Sequence, residues 1–298
     1  MKADKQLIVI AGPTAVGKSS LALKIAQKIQ CPILSADSRQ CFQELNIGTS
    51  KPSSQELELI PHFFINTHSI EDEMSVRVFL QYALEKLNSL FEQHSKVLLV
   101  GGTGLYIKAL LHGLDVIPEV PDLISKQVQA LYDEKGIEAL QKELSQQDPK
   151  FLDQKDHENP HRLIRALSFV RAHGKSILDF QTDSRADRIF EAREYCLRSD
   201  RDKLYQKINE RVDKMVGDGL EEEVRSLERY WQSKNFKTVG YQEWLPYFNK
   251  KSTREDSIAK IKQSTRNYAK RQMTWFRNQG NFQFLEPEKA ESSILANF

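Results

Sequence analysis

The chain has 298 residues, of which 40% are hydrophobic and 28% charged, and a formal net charge of +2. That composition supports a large buried core in one large domain or two smaller ones, and it excludes a globally disordered chain. A charge so near neutrality gives no nucleic-acid signal by itself, so any such signal must come from local clustering.

The chain begins MKADKQLIVIAGP. Its apolar run is too short for a membrane helix, Gly12-Pro13 ends it, and no small-residue cleavage site follows. It reads as a strand over 7–11, not a signal peptide. No other apolar run is long enough to span a bilayer, so no membrane partner is expected. The three cysteines, Cys31, Cys41 and Cys196, form no CxxC pair. That argues against a disulfide framework or a cysteine-rich zinc module and points to a reducing cytoplasm.

The text Gly12-Pro13-Thr14-Ala15-Val16-Gly17-Lys18-Ser19 follows. It fits G-x-x-x-x-G-K-[ST] in full, with a strand before it and the helical text SSLALKIAQKI after it. Glycines let the backbone wrap phosphate oxygens, and amide N–H groups at a helix N-terminus face the anion. Lys18 adds a point charge, and Ser19 offers a hydroxyl to Mg²⁺. The motif specifies a bound di- or triphosphate without saying which. ATP or GTP is the usual occupant, so a small-molecule or nucleotide kinase is the starting hypothesis.

A second strand, 32–35, leads into Ser35-Ala36-Asp37-Ser38-Arg39-Gln40. This places Asp37 at the C-terminal edge of the sheet, where open α/β folds bind ligands. A carboxylate there can hold Mg²⁺, accept a proton from a nucleophile, or simply cap a turn. Further strands are expected at 63–66 and 96–100. After the latter comes Gly101-Gly102-Thr103-Gly104-Leu105-Tyr106, which allows close backbone approach to a ligand but also suits a plain tight turn.

From 113 to 192 no buried strand is expected. Pro118 and Pro121 mark the entry, Gly136 closes a first helix, a second begins near Ile137 and a third around Pro160. The stretch reads as a helical insertion between two parts of one core, 1–112 and 193–298. Within it, His157-Glu158-Asn159-Pro160-His161 spells the zinc-protease string. That chemistry needs both histidines on one continuous helix, and Asn-Pro instead starts a helix after His157.

A strand at 194–197 is followed by helical text from 201 to 231, with Leu204, Ile208, Val212 and Met215 at helical spacing. Gly217-Asp218-Gly219 breaks it, and Glu221-Glu222-Glu223 suits the N-terminus of a new helix. Residues 260–277 carry Lys260, Lys262, Arg266, Lys270, Arg271 and Arg277 with no acid among them, interleaved with Tyr268, Trp275 and Phe276. A solvated helix with its aromatics in the core and a phosphate-contacting face fit that segment equally. An edge strand at 282–285 completes an α/β fold of parallel strands flanked by helices.

Taken in order, GPTAVGKS (12–19), SADSRQ (35–40), IGTSKP (47–52), GGTGLY (101–106), RLIRAL (162–167), GLEEEV (219–224), VGYQE (239–243) and TRNYAKRQMTWFR (265–277) resemble the tRNA dimethylallyltransferase family over nearly the whole chain. Cys41-Phe42 stands where that family more often has Val-Tyr, and Ser168-Phe169 where it often has Glu-Val.

The resemblance implies a P-loop NTPase-like core with an all-helical insertion contacting tRNA. It implies dimethylallyl diphosphate as donor, its diphosphate on the phosphate loop in place of a nucleotide. The acceptor would be N6 of the adenine 3′ of the anticodon, in the tRNA anticodon stem-loop. Asp37 then matches the general base, Thr14 to Ser19 the donor-binding residues, and Arg211 an arginine that contacts the diphosphate. Asp37, Ser38, Arg39 and Gln40, the run His161, Arg162, Leu163, Ile164 and Arg165, and Thr103 match tRNA contacts. The resemblance also favours the phosphate-contacting reading of the basic segment, with Arg266 and Lys270 on one helical face.

An exocyclic adenine amine is a poor nucleophile, because its lone pair is delocalised into the ring. An allylic diphosphate compensates by ionising readily. Lys18, the loop amides, Mg²⁺ and Arg211 suit the departing diphosphate, and Asp37 suits the proton. A kinase would need no basic-aromatic C-terminal segment, and a non-enzymatic RNA-binding module would leave Asp37 idle. A monomer is the expected state.

Overall fold

The computed structural model describes residues 5–153, 158–181 and 186–297. The chain divides into a core unit, Met1–Gly113 with Ala186–Phe298, and a helical unit, Leu114–Arg185.

In the core unit, six strands form one wholly parallel sheet: β1 (Gln6–Ala11), β2 (Ile33–Ser35), β3 (His62–Phe63), β4 (Lys96–Gly101), β5 (Glu191–Leu197) and β6 (Gln283–Leu285), in the order β3-β2-β4-β1-β5-β6. β1, flanked by β4 and β5, is apolar from Leu7 to Ala11 because it is covered on both faces. Leu7, Val9 and Ala11 pack on one side with Phe79, Ile107 and Phe276, while Ile8 and Ile10 pack on the other with Ile25, Ile208 and Ile294.

The covering helices are α1 (Lys18–Ile29), α2 (Ser54–Leu59), α3 (Val76–Gln93) and α4 (Gly104–His112) in the first segment of the unit. The helical unit contains α5 (Asp122–Gln147), α6 (Pro149–Leu152) and α7 (Pro160–His173). The second segment of the core unit adds α8 (Arg201–Gly217), α9 (Leu220–Ser226), α10 (Leu245–Phe248), α11 (Arg254–Gln279) and α12 (Pro287–Leu295). Among the described residues, no helix is long and apolar enough to cross a membrane. All three cysteines are buried and unpaired, and burial pushes each thiol up to about 12.

Two expectations shift. The strand expected at 63–66 shortens to His62–Phe63, because Phe64 (φ 62) and Asn66 (φ 53) are left-handed and cannot continue a ladder. The insertion expected at 113–192 spans Leu114–Arg185 instead. The segment that follows is tied to the core: Ala186 N donates to His112 O at 3.0 Å, Arg188 Nε donates to Leu110 O at 2.7 Å, and Phe190 stacks on Phe91. β5 accordingly starts at Glu191, not 194.

The helical unit has its own core of Val128, Leu140, Leu144, Leu163, Leu167 and Phe169. Gly136 (φ 72) breaks α5 into two helices where the sequence places a stop. Asn159 caps α7, accepting from His161 N at 3.1 Å and Arg162 N at 3.4 Å, with Pro160 at the first turn. The helix therefore begins at Pro160, and His157 of the zinc-like string lies outside the described residues.

Candidate active site

The phosphate-loop text folds as a left-handed wrap between β1 and α1. Gly12 (φ 144) and Gly17 (φ 103) hold backbone angles that L residues rarely adopt, and Ala15 (φ 63) is left-handed beside them. At Gly12 a Cβ would also stand 2.8 Å from Leu197 O. The loop thus presses against the end of β5.

The loop lines a cavity of about 410 Å³ whose walls belong wholly to the core unit. Thr14, Gly17, Lys18 and Ser19 form one wall; Asp37 and Gln40 come from the segment after β2, Gly101 from the end of β4 and Gly102 from the turn after it, Arg211 from α8, and Tyr268 and Gln272 from α11. This is the carboxyl end of the parallel strands, where the topology leaves a crevice.

The electrostatics favour an anion. Burial pulls the Lys18 ammonium down from 10.5 to about 8; the Asp37 carboxylate opposes that shift and Arg211 adds to it. Lys18 Nζ turns back onto Pro13 O at 2.7 Å. Burial lowers the Arg211 guanidinium as well, against the pull of Asp37. Among the described residues, neither cation has a salt-bridge partner within 4 Å. Two desolvated cations without a carboxylate of their own are costly in a folded chain unless an anion joins them.

Asp37 performs the turn-capping role and leaves capacity for another. Its Oδ1 accepts from Arg39 N at 2.8 Å and Gln40 N at 3.4 Å, and no other hydrogen bond reaches the carboxylate among the described residues. Thr103 holds the next residue: its Oγ1 accepts from Ser38 N at 3.1 Å, while Thr103 N donates to Ala36 O at 3.2 Å. Burial pushes the Tyr268 phenol up to about 12, with the Asp37 carboxylate adding to the rise. The Gly-rich run after β4 permits this crowding. A Cβ would stand 2.2 Å from Ala36 O at Gly101, and 2.2 Å from Trp275 Cε3 at Gly104.

The structure therefore gathers Thr14, Ala15, Gly17, Lys18, Ser19, Asp37, Gln40 and Arg211 around one space, whereas Gly12, Pro13 and Val16 of the loop do not line it and Val16 is buried in the core; Ser38, Arg39 and Thr103 are tied to the Asp37 turn without lining the cavity. His161 and Arg165 are exposed on α7 in the helical unit, where Ile164 is half-buried. Arg162 is exposed too. Leu163 departs from its expectation as an RNA contact: its side chain is 0% exposed in that unit's core. On α11, Lys270 is exposed, whereas Arg266 is half-buried and donates to Asn209 Oδ1 at 2.7 Å.

Four cavity-shaping residues go unremarked in the sequence as such: Gln272, Glu223, Lys51 and Tyr268. Glu223 reads as one of three acids opening α9. It in fact accepts from Asn46 N at 3.2 Å, Ile47 N at 2.8 Å and Tyr241 Oη at 2.6 Å. It thereby fixes the loop that brings Thr49, Ser50 and Lys51 to the cavity wall. Lys51 donates to Phe42 O and Asn46 Oδ1, and burial draws it down to about 8. The readable signal for Gln272 is a polar residue on the buried stripe Ser257, Ile261, Ala269, Gln272, Phe276.

The family described as IPP transferase matches residues 40–279. A tRNA dimethylallyltransferase of Christiangramia forsetii is 42% identical over 289 residues, covering 97% of this chain and 96% of its own. A tRNA dimethylallyltransferase 1 of Bacteroides thetaiotaomicron is 40% identical, covering 97% and 94%. The crystal structure of a tRNA isopentenylpyrophosphate transferase from Bacillus halodurans superposes with a TM-score of 0.72 at 30% identity, covering 98% of this chain and 95% of that one. A eukaryotic dimethylallyltransferase acting on tRNA superposes at 0.77 with 25% identity, covering 98% and 77%. The chain belongs to the IPP transferase family and is an enzyme of the tRNA dimethylallyltransferase kind.

Proposed function

We propose that the chain transfers a dimethylallyl group from dimethylallyl diphosphate to N6 of the adenine 3′ of the anticodon in tRNA, releasing diphosphate. The observation that carries this reading is the meeting of two desolvated cations, Lys18 and Arg211, with the Asp37 carboxylate in one cavity.

In the reaction the bond between the allylic carbon and the diphosphate oxygen breaks, and a bond from N6 to that carbon forms. The amides of the phosphate loop, Lys18 and Arg211 stabilise the leaving diphosphate, whose charge grows as the bond breaks. The Asp37 carboxylate accepts the N6 proton, on the side not committed to the amides of Arg39 and Gln40. The adenine leaves the anticodon-loop stack to reach the cavity, at a cost of a few kcal/mol.

The donors beside the loop suit Mg²⁺. Ser19 offers an exposed hydroxyl and Asp37 a carboxylate, both hard oxygens. Among the described residues no group of three His, Cys, Asp or Glu could hold a metal ion, so Ser19 and Asp37 are the residues that would hold Mg²⁺. When bound, Mg²⁺ supplies charge neutralisation on the diphosphate. The tRNA contacts proposed are Ser38, Arg39, Gln40 and Thr103 around the Asp37 turn, His161, Arg162 and Arg165 on α7, and Lys270 on α11.

The test incubates the protein with Mg²⁺, labelled dimethylallyl diphosphate and unmodified tRNA, beside a second reaction with labelled ATP. Label is expected in the tRNA, at the adenosine 3′ of the anticodon, and absent from a tRNA with guanosine there. Phosphate transfer from ATP without RNA would establish a kinase instead.

A further inference from the structure

The Gln272 side chain is 7% exposed and makes two hydrogen bonds at the cavity wall. Its Oε1 accepts from Thr14 N of the phosphate loop at 2.9 Å, across 258 residues of sequence. Its Nε2 donates to Gly102 O at 2.9 Å, in the turn after β4. An amide inside a phosphate loop is ordinarily free for a phosphate oxygen. Here a side chain occupies the Thr14 amide.

The second hydrogen bond leads on toward the base. Next in the chain after Gly102, Thr103 accepts from Ser38 N at 3.1 Å and donates its own N–H to Ala36 O at 3.2 Å. Those two contacts bracket Asp37. The path Thr14, Gln272, Gly102, Thr103, Ser38 thus joins the loop for the leaving group to the carboxylate for the proton. A primary amide of this length accepts at one end and donates at the other, which neither a carboxylate nor a thioether of the same length does. Gly102 is matched to it, because a Cβ there would stand 2.2 Å from Gln272 Nε2.

We propose that Gln272 is a positioning residue for transfer, setting the spacing between the donor's diphosphate and Asp37 by pinning the Thr14 amide and the Gly102 carbonyl to one side chain. The proposal rests on the prenyl-transfer reading above. Displacements of about 1 Å between reacting groups cost up to ~10²-fold in rate. Losing the clamp should therefore depress kcat while leaving donor affinity, set by Lys18 and Arg211, nearly intact.

The experiment uses the full chain with tRNA and labelled dimethylallyl diphosphate, with active enzyme counted by a single-turnover burst. Gln272→Met keeps the volume and removes both hydrogen bonds. It is expected to lower kcat by about 10–100-fold with donor KM within about threefold. Gln272→Glu keeps the acceptor but sets two acceptors face to face at Gly102 and brings a negative charge to the diphosphate, so both kcat and donor affinity should fall. Gly102→Ala, which displaces the amide without altering it, should reproduce the Gln272→Met pattern, and the double variant should be no worse than either single one. Slow exchange of the Thr14 amide in the wild type, lost in Gln272→Met, reads the clamp without any turnover. A normal kcat per active site in Gln272→Met, or a fall in donor affinity equal to its fall in kcat, overturns the proposal. So does a Thr14 amide that exchanges equally fast in both proteins. A wild-type protein that moves no prenyl group overturns the reading beneath it, and amide exchange then judges the clamp alone.

Discussion

Two pairs of cations in the core unit have opposite surroundings. Lys18 and Arg211 face the cavity, desolvated and without a salt-bridge partner among the described residues. Lys262 and Arg266, on the basic helix α11, are occupied by α8: Lys262 Nζ stands 2.5 Å from Asp213 Oδ1, and Arg266 donates to Asn209. The sequence marks Lys18 through its phosphate-loop motif but reaches Arg211 only through the family resemblance. Without that resemblance, residues 260–277 are the conspicuous basic cluster and Arg211 is a lone arginine in helical text. What separates them is the energy of the surroundings. A charge paired within its own fold contributes to packing, whereas one left desolvated without an anionic partner marks the place where a ligand completes the structure.

The largest expected effect tests the carboxylate that lines that cavity. Asp37→Asn retains an oxygen for the amides of Arg39 and Gln40, so the turn survives while the base is lost. kcat should fall by about 10²–10⁴, with donor binding little changed. If the variant instead loses Mg²⁺-dependent donor affinity and keeps its rate at saturation, Asp37 serves the metal and not the proton.

Arg211 sharpens the contrast between function and stability. Arg211→Met keeps the aliphatic stem and removes the desolvated charge. Donor kcat/KM should fall by about 10²–10³, the scale of removing one group that stabilises a developing anion. The free protein should at the same time melt higher, since the cost of burying that charge disappears. A variant that melts lower and still turns over normally would place Arg211 with Arg266 as a structural cation.

Lys18 gives a smaller effect with a definite sign. Its ammonium is lowered to about 8 in the free protein, so the charge is present below that pH and lost as pH rises through it. Donor kcat/KM, which reports free-enzyme ionisations, should fall above pH 8, approaching tenfold per unit. In Lys18→Arg the charge persists at every accessible pH. That variant should lose the alkaline fall even where its absolute rate is lower, and an unchanged profile would assign the ionisation to another group.

Legibility in the sequence follows the range of each interaction. The phosphate loop is a contiguous eight-residue text, and its strand, wrap and helix are readable together. Asp37 is readable as a strand-end carboxylate, though its choice between turn cap and base is not, because that depends on Thr103 and Arg211 arriving from elsewhere. Gln272 and Glu223 are unreadable in their roles, since each serves a backbone amide 258 or 176 residues away. The sequence overextends β3 because the apolar run Phe63, Phe64, Ile65 conceals a left-handed φ at Phe64, with a second at Asn66 that ends it. Leu163 groups with its neighbours by motif, although its place on the buried face of α7 points it into the helical unit.

The smallest effect falls on α11 itself, where the comparison of paired and unpaired cations makes its finest prediction. If RNA uses this helix, the residues free to meet phosphate are the exposed Lys270 and Arg271, the latter lying over the Tyr268 ring with its guanidinium carbon 5.7 Å from the centroid. Replacing either with Ala should weaken tRNA binding less than tenfold. It should also flatten the plot of log affinity against log salt by about 0.7–0.9 for each phosphate no longer neutralised. Arg266→Ala and Lys262→Ala should leave that slope alone. They should instead loosen the packing of α11 on α8, by about 1 kcal/mol for the half-buried Arg266 and less for the more exposed Lys262 pair. Donor KM should stay constant in all four, because none of these residues lines the cavity beside the phosphate loop. A flattened slope in Arg266→Ala with unaltered stability would mean that Arg266 leaves Asn209 for phosphate in the complex, and pairing in the free protein would then fail as a guide to which cations bind RNA. Unchanged slopes in Lys270→Ala and Arg271→Ala would remove α11 from the RNA surface and transfer that role to the exposed His161 and Arg165 of α7.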